Sequence, residues 1–351
     1  MNDRTMDFQI EEWLVFFSLA GFVGFFADRT SICTVKAIEE VLTTRRAFIL
    51  ISFAKTILWV TGVTIWLAWW IGVPRSAPIS SGIAWSGIFG GLLFGIGAVF
   101  NGGCAFSTLI RLGNGNLGML VTLSGFVVGA TIVELAKFRV DGIGIDPVAP
   151  LFEMNFVMAT IFGSFITIWM AWEFVRLWRT ASIHRPGALL LSPKFRLSTG
   201  AAVIGVSNGI LYTYIGTWSY THTLRVSVEQ QIITADAGSS QASAAMLWWL
   251  FLALIAGVVV SSVLRRRFVF DRRNLTGPPR FLLGGVLMGL GAAFVPGGND
   301  VLLLNAIPGL SPHALPAYLS MLAGIAIALM VVRWRVGKLD VIDCTGDQCQ
   351  E

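Results

Sequence analysis

The chain contains one glycine-rich apolar segment twice. Gly90-Gly91-Leu92-Leu93-Phe94-Gly95-Ile96-Gly97-Ala98-Val99-Phe100 runs into Gly102-Gly103-Cys104. Later, Gly284-Gly285-Val286-Leu287-Met288-Gly289-Leu290-Gly291-Ala292-Ala293-Phe294 runs into Gly297-Gly298-Asn299, with Pro296 as one additional residue. Two copies of such a segment, each ending in a Gly-Gly turn, point to a duplicated membrane protein whose halves meet at a central site. The composition agrees: 55% of residues are hydrophobic and 13% charged, with a mean hydropathy of +0.74. A soluble domain carries about twice that charge fraction, so the lipid bilayer is the expected solvent for most of the surface. The small residues in Gly87-x-x-x-Gly91-x-x-x-Gly95 and Gly285-x-x-x-Gly289 allow close helix contact. Adjacent glycines followed by more polar residues end a helix, and irregular backbone at membrane depth survives only where protein or a water-filled cavity covers it. The expected fold class is therefore an all-α polytopic membrane protein, with short re-entrant or broken helices meeting near the midplane.

Apolar spans are expected at roughly 13–28, 47–72, 83–100, 117–136, 154–175, 198–217, 245–264, 281–296 and 315–332. Tryptophans near their ends (Trp13, Trp69, Trp70, Trp178, Trp218 and Trp334) suit interfacial belts. With the N-terminus outside, nineteen basic residues fall in internal segments and five in external ones (Arg4, Arg75, Lys137, Arg139 and Arg225). The positive-inside rule then gives an external N-terminus and a cytoplasmic C-terminus. The two glycine-rich copies lie five crossings apart, so one is upside down relative to the other and the halves form two inverted repeats. The expected organisation is a first repeat at 1–175, a basic cytoplasmic linker at 176–197, a second repeat at 198–335 and a cytoplasmic tail at 336–351. The acidic start and the lack of a small-residue site after the first apolar run argue against a cleaved signal peptide. The longest external loop, 218–244, is expected to fold partly as a helix over the mouth. The net charge of +5 is explained by its distribution across the membrane, and nothing in it suggests a nucleic-acid partner.

Cys33, Cys104, Cys344 and Cys349 are the four cysteines, and their spacing suggests neither a disulfide framework nor a metal site. Cys33 and Cys104 each follow a glycine-containing apolar span and stand near the start of the next segment. A helix start there offers free N–H groups to an anion, and a neutral thiol can donate a weak hydrogen bond to a soft acceptor such as sulfur. A cysteine in a membrane helix is otherwise a small apolar filler. Lys55 and Glu134 lie within apolar runs, where an unpaired charge is costly, so each calls for a partner or a cavity and the two could pair with each other. Arg29 and Arg111 lie close in sequence to the cysteines, where they could hold an anion or simply obey the positive-inside rule. His313 reads as a loop residue. Gly113-x-Gly115-x-x-Gly118 matches a dinucleotide fingerprint by letter, but no strand precedes it and it reads as a turn. No nucleotide loop, clustered metal ligands, cofactor motif or His-based catalytic set marks an enzyme.

Phe26-Ala27-Asp28-Arg29-Thr30-Ser31-Ile32-Cys33 and Gly95-x-Gly97-Ala98-Val99-Phe100-Asn101-Gly102-Gly103-Cys104 resemble the two cysteine segments of the YeeE/YedE sulfur-transport family. The glycine pattern at 284–298 resembles the family's second half, and the resemblance covers about residues 13–335. It implies an inner-membrane importer of thiosulfate in which cysteine thiols near the centre relay the substrate by S–H···S contacts. The implied path comprises Cys33, Cys104, Gly102, Gly103, Gly297, Gly298 and the position of Asn299. The family's third relay cysteine is replaced here by Asn299, followed by Asp300. An amide suits hard oxygen better than soft sulfur, so sulfite, sulfate or another sulfur anion stands beside thiosulfate as an expected substrate. The tail, Leu339-Asp340-Val341-Ile342-Asp343-Cys344-Thr345-Gly346-Asp347-Gln348-Cys349, resembles the opening of TusA-type sulfur carriers. That resemblance implies Cys349 as a sulfur acceptor and a soluble TusA-like carrier as a cytoplasmic partner. The bare reading of the same residues is a polar, disordered end with two exposed thiols.

Overall fold

In the computed structural model, the residues described are 10–30, 33–73, 80–136, 149–180, 195–232, 244–271, 279–337, 343–345 and 347–350. The first part of the chain forms α1 (Ile10–Thr30), α2 (Thr34–Thr44), α3 (Phe48–Ile65, prolonged by a π-helical turn, Trp66–Ile71), α4 (Trp85–Asn101), α5 (Ala105–Gly113) and α6 (Met119–Leu135). A single turn, α7 (Pro150–Glu153), and the long α8 (Phe156–Thr180) follow. The remainder forms α9 (Leu197–Ile215), α10 (Tyr220–Ile232), α11 (Ala244–Leu264), α12 (Pro279–Phe294), α13 (Asn299–Val301, prolonged by a π-helical turn, Leu302–Ala306) and α14 (Ala314–Val336). A long helix coincides with each of the nine apolar stretches. Among the described residues, six segments are long and apolar enough to cross a bilayer, or seven if the α12–α13 pair, bent by 46°, counts as one. The lipid-facing surface is plain on α8, where Phe165, Ile168 and Trp172 are exposed.

The order long, short, long, glycine-rich, short, long occurs as α1–α6 and again as α9–α14. Short helices stand at the same places in both series. Glycines make the centre, and they do so on two faces of each glycine-rich helix. Gly90 and Gly97 of α4 meet Gly291 and Gly284 of α12, and the reversed numbering shows that the two helices run antiparallel. On a second face, Gly91 and Gly95 lie against Ala317, Met321 and Gly324 of α14, while the matching Gly285 and Gly289 lie against Thr122 and Phe126 of α6. Four helices thus approach to backbone contact, the arrangement that small residues permit.

Asp28, Arg29, Arg46, Arg176 and Arg265 gather on one face of the bundle, hereafter the basic face. Asp28 takes Arg265 Nη2 on both carboxylate oxygens at 2.8 and 2.7 Å, and accepts Ser261 Oγ at 2.6 Å. Glu40, fully buried, accepts the amides of Phe48 and Ile49 at 3.1 and 3.0 Å and so caps α3. The tail also reaches this face. Strands β1 (Asp343–Thr345) and β2 (Gln348–Gln350) form an antiparallel hairpin that pairs Cys344 with Cys349 in register.

The partial helix expected after Trp218 is present as α10, but it is packed inside the protein, with Tyr220, Thr221, His222, Thr223 and Leu224 all buried. Its polar composition is spent on internal hydrogen bonds, such as Thr223 Oγ1 to Ser219 O at 2.7 Å, and residues 233–243 lie outside the described residues. Trp218 is likewise no interfacial anchor, being buried with its carbonyl accepting Asn305 Nδ2 at 3.2 Å.

A Cβ added at Gly97 would come within 2.8 Å of Gly284 O, Leu287 Cβ and Met288 N. Gly97→Val is therefore expected to separate α4 from α12 at a cost of about 1–3 kcal/mol. A lowered melting temperature of the purified protein in detergent checks it; an unchanged one contradicts this packing.

Candidate functional site

The four short helices begin inside the protein. Cys33 is the N-cap of α2 and Cys104 the N-cap of α5, both extended, while Gly298 is the N-cap of α13. Ser219 occupies the same place before α10, its carbonyl accepting Thr223 N at 2.9 Å. Sequence spacing set Asn299 opposite Cys104. By cap position Gly298 is the counterpart of Cys104 and Ser219 that of Cys33, with Asn299 one residue further on.

The glycine pairs close their helices in equivalent ways. Gly103 N bonds Ala98 O at 2.9 Å and Gly297 N bonds Ala292 O at 2.8 Å, the 6→1 closure of a Schellman motif, with Gly102 at φ 73°. Asn101 locks the first turn. Its Nδ2 donates to Gly103 O at 2.9 Å and Thr108 Oγ1 at 2.7 Å, and its Oδ1 accepts Thr122 Oγ1 at 2.7 Å. Arg111 Nη2 donates to Gly102 O at 2.6 Å, so this arginine holds the turn. Neither contact was foreseen from sequence, although a lone Asn before Gly-Gly in an apolar run was the available signal.

The two membrane-embedded cysteines meet. Both are buried free thiols, and their side chains lie close enough to interact directly. Each sulfur is also faced by amides from both breaks: those of Lys36 and Cys104 for Cys33, and those of Ser107 and Thr34 for Cys104. Asn299 joins them through Thr34, its Nδ2 lying 3.2 Å from Thr34 Oγ1. Its Oδ1 is buried without a hydrogen-bond partner. A hydroxyl can donate as well as accept, and amide O and N are interchangeable. Turned over, the same side chain presents Nδ2 as a donor.

Cys104, Asn299, Asp300, Thr34, Thr56 and Phe53 line a small cavity of about 40 Å³. Cys33 is not among the lining residues and adjoins the cavity through its contact with Cys104. A second cavity of about 80 Å³ has walls that include His222, Arg225, Asn305, Ser311 and His313. Segment 296–306 contributes to both, so α13 forms the partition. Between them Asp300, 2% exposed, accepts Thr221 Oγ1 at 2.5 Å and Thr221 N at 3.3 Å.

Other candidates lie elsewhere. Arg29 donates from Nε to Ser261 Oγ at 2.9 Å and stacks over Phe25 and Phe195, away from the thiol cavity. Lys55 does not pair with Glu134. It donates to Glu173 Oε1 at 2.9 Å and Ser198 Oγ at 2.7 Å, because α3 packs on α8 and α9 while Glu134 ends α6. His313 caps α14, with Nδ1 3.0 Å from Ser81 O, and is a cavity wall as well as a loop residue. The tail is docked, not loose: Asp347 Oδ1 accepts Ser198 N and Oγ at 3.0 and 2.8 Å, and Cys344 O accepts Arg46 at 3.1 Å. Cys344 is buried and disulfide-bonded, contrary to an exposed thiol; the side chain of Cys349 lies outside the described residues.

Residues 29–327 match the sequence model of a family described as sulphur transport. A comparison with curated proteins finds no match.

The contact between the thiols predicts that mild oxidation with diamide links Cys33 to Cys104. Mass spectrometry of the digested protein should recover the bridged peptide from wild type. Recovering both cysteines only as alkylated thiols contradicts the juxtaposition.

Proposed function

We propose, from the premise that this chain belongs to the sulphur transport family, that it imports a small sulfur-containing anion, thiosulfate first, past the thiols of Cys33 and Cys104. The observation that carries this is the meeting of those thiols at the N-caps of α2 and α5, beside Asn299 and a small cavity. Amides at short helix starts supply partial positive charge for the sulfonate end, and the thiols supply soft contacts for the terminal sulfur. Asn299 offers a harder hydrogen bond where the family carries a third thiol.

The repeated helix order and the antiparallel α4–α12 contact support two inverted repeats, 1–175 and 198–335, joined by 176–197. The charge bias supports an external N-terminus and a cytoplasmic C-terminus in a bacterial inner membrane. In that frame the anion enters the cavity beside His222 and Arg225, crosses the partition at α13, meets Asn299 and Cys104, and leaves past Cys33 toward Lys36. Gly102, Gly103, Gly297 and Gly298 shape the turns around this route.

A second reading has the protein hand sulfur to a soluble TusA-like carrier on the cytoplasmic side. The docking of the tail hairpin onto Ser198 and Arg46 supports it. Deleting 339–351 separates the two, since loss of transfer with retained uptake favours the second.

Cys33→Ala and Cys104→Ala are each expected to reduce uptake of labelled thiosulfate about tenfold or more, the effect of losing roughly 1.4 kcal/mol at the barrier. Uptake by cells expressing each variant at wild-type levels measures it. Wild-type rates in both would remove the thiols from the path.

A further inference from the structure

Asp300 is a carboxylate on the route of an anion, and the transport reading alone gives it no task. It lines the thiol cavity together with Asn299 and Cys104 and is buried. Among the described residues no Lys, Arg or His pairs with it. Its partners are the hydroxyl and amide of Thr221 and the hydroxyl of Ser219. Thr221 Oγ1 itself accepts Gly298 N at 3.2 Å, which leaves it one further lone pair and one hydrogen. It can therefore donate to an ionised Asp300, or accept from a protonated one while turning its own hydrogen toward Ser219 Oγ, 3.5 Å away.

Among the described residues, the charged groups on the elements around Asp300 have other partners or stand off from it. On α10 the titratable groups are Tyr220 beside Asp300, His222 in the wall of the second cavity, and Arg225, which is paired with Glu229 at 3.1 Å. On the other elements around the cavity they are Cys104 at the start of α5, Cys33 and Lys36 of α2, and Tyr318 of α14, while Glu40 of α2 accepts the Phe48 and Ile49 amides and Lys55 of α3 is paired with Glu173. Arg111, further along α5, is held on Gly102 O. The Ser219 and Thr221 hydroxyls lie 3.5 Å apart and lead to the carboxylate from the side of His222, whose buried Nδ1 has no partner.

An ionised Asp300 repels an incoming anion across a cavity where low dielectric strengthens the repulsion. We propose that Asp300 carries the coupling proton, so that one proton enters with each anion. The proton is taken up from the side of the His222 cavity as the anion arrives, and its charge on the carboxylate is cancelled while the anion occupies the thiol cavity. When the anion has passed Cys33, the proton leaves Asp300 to water on the basic face, and the ionised carboxylate is restored. No bond other than O–H forms or breaks. This inference rests on the transport reading above.

The test uses the full chain in liposomes, with the membrane potential clamped at zero by potassium and valinomycin. Labelled thiosulfate is added outside, with and without an inward proton gradient. For one proton per anion, each pH unit of gradient should raise the accumulation ratio about tenfold. A protonophore should abolish that accumulation, and an internal pH dye should report acidification on adding thiosulfate. Asp300→Asn should lose the response of thiosulfate accumulation to the gradient. Accumulation in wild type that ignores both gradient and protonophore overturns the proposal and leaves the transport reading standing. Absence of both uptake and counterflow in wild type overturns both.

Discussion

Backbone that breaks inside an apolar protein must find partners for the groups the break exposes, and this fold meets that demand four times. Each glycine-rich helix ends on the same 6→1 closure, at Gly103 and at Gly297. Beyond that shared step the two halves use different chemistry. Asn101 and Arg111 satisfy the first turn, and the Thr221 hydroxyl receives the Gly298 amide in the second. These closures fix where Cys104 and Asp300 stand, and the contacts between breaks bring Cys33 and Thr34 beside them. The glycine contacts between α4 and α12 hold the two turns at a set separation, so the site depends on packing as much as on its own residues.

The halves also differ in softness. The first presents two thiols at its helix caps, Cys33 and Cys104. At the corresponding caps the second has Ser219 and Gly298, with Asn299 and Asp300 immediately following. A polarisable sulfur atom suits the first set and hydrogen-bonded oxygen the second. Thiosulfate carries both kinds of end. On the proposed route, one soft wall and one hard wall would match the two ends of that molecule.

Much of this was legible in the amino-acid sequence, because hydropathy and glycine spacing report directly on burial and helix contact. The long helices fall on the expected apolar stretches, and the doubled glycine register marks the central contact. The short helices were not legible. Residues 34–44 and 220–232 are rich in Thr, Ser and Glu, a composition that ordinarily marks loops, and only the tertiary structure shows their hydroxyls and Glu40 used internally. Lys55 was recognised as needing a partner, but its pairing with Glu173 spans 118 residues, a separation no local pattern encodes. The tail misled for a similar reason: what anchors it is Asp347 on the start of α9, a contact between distant polar residues.

The central claim is that a sulfur anion occupies the cavity between the thiols of the first half and Asn299 of the second. Locating the anion is the most direct test. Selenosulfate carries selenium in place of the terminal sulfur, and anomalous scattering from soaked crystals would place that atom without ambiguity. The account predicts a selenium peak in van der Waals contact with Cys104 Sγ, in the cavity shared with Asn299 and Thr34. A peak found only outside that cavity, in crystals of protein that transports selenosulfate, would contradict it.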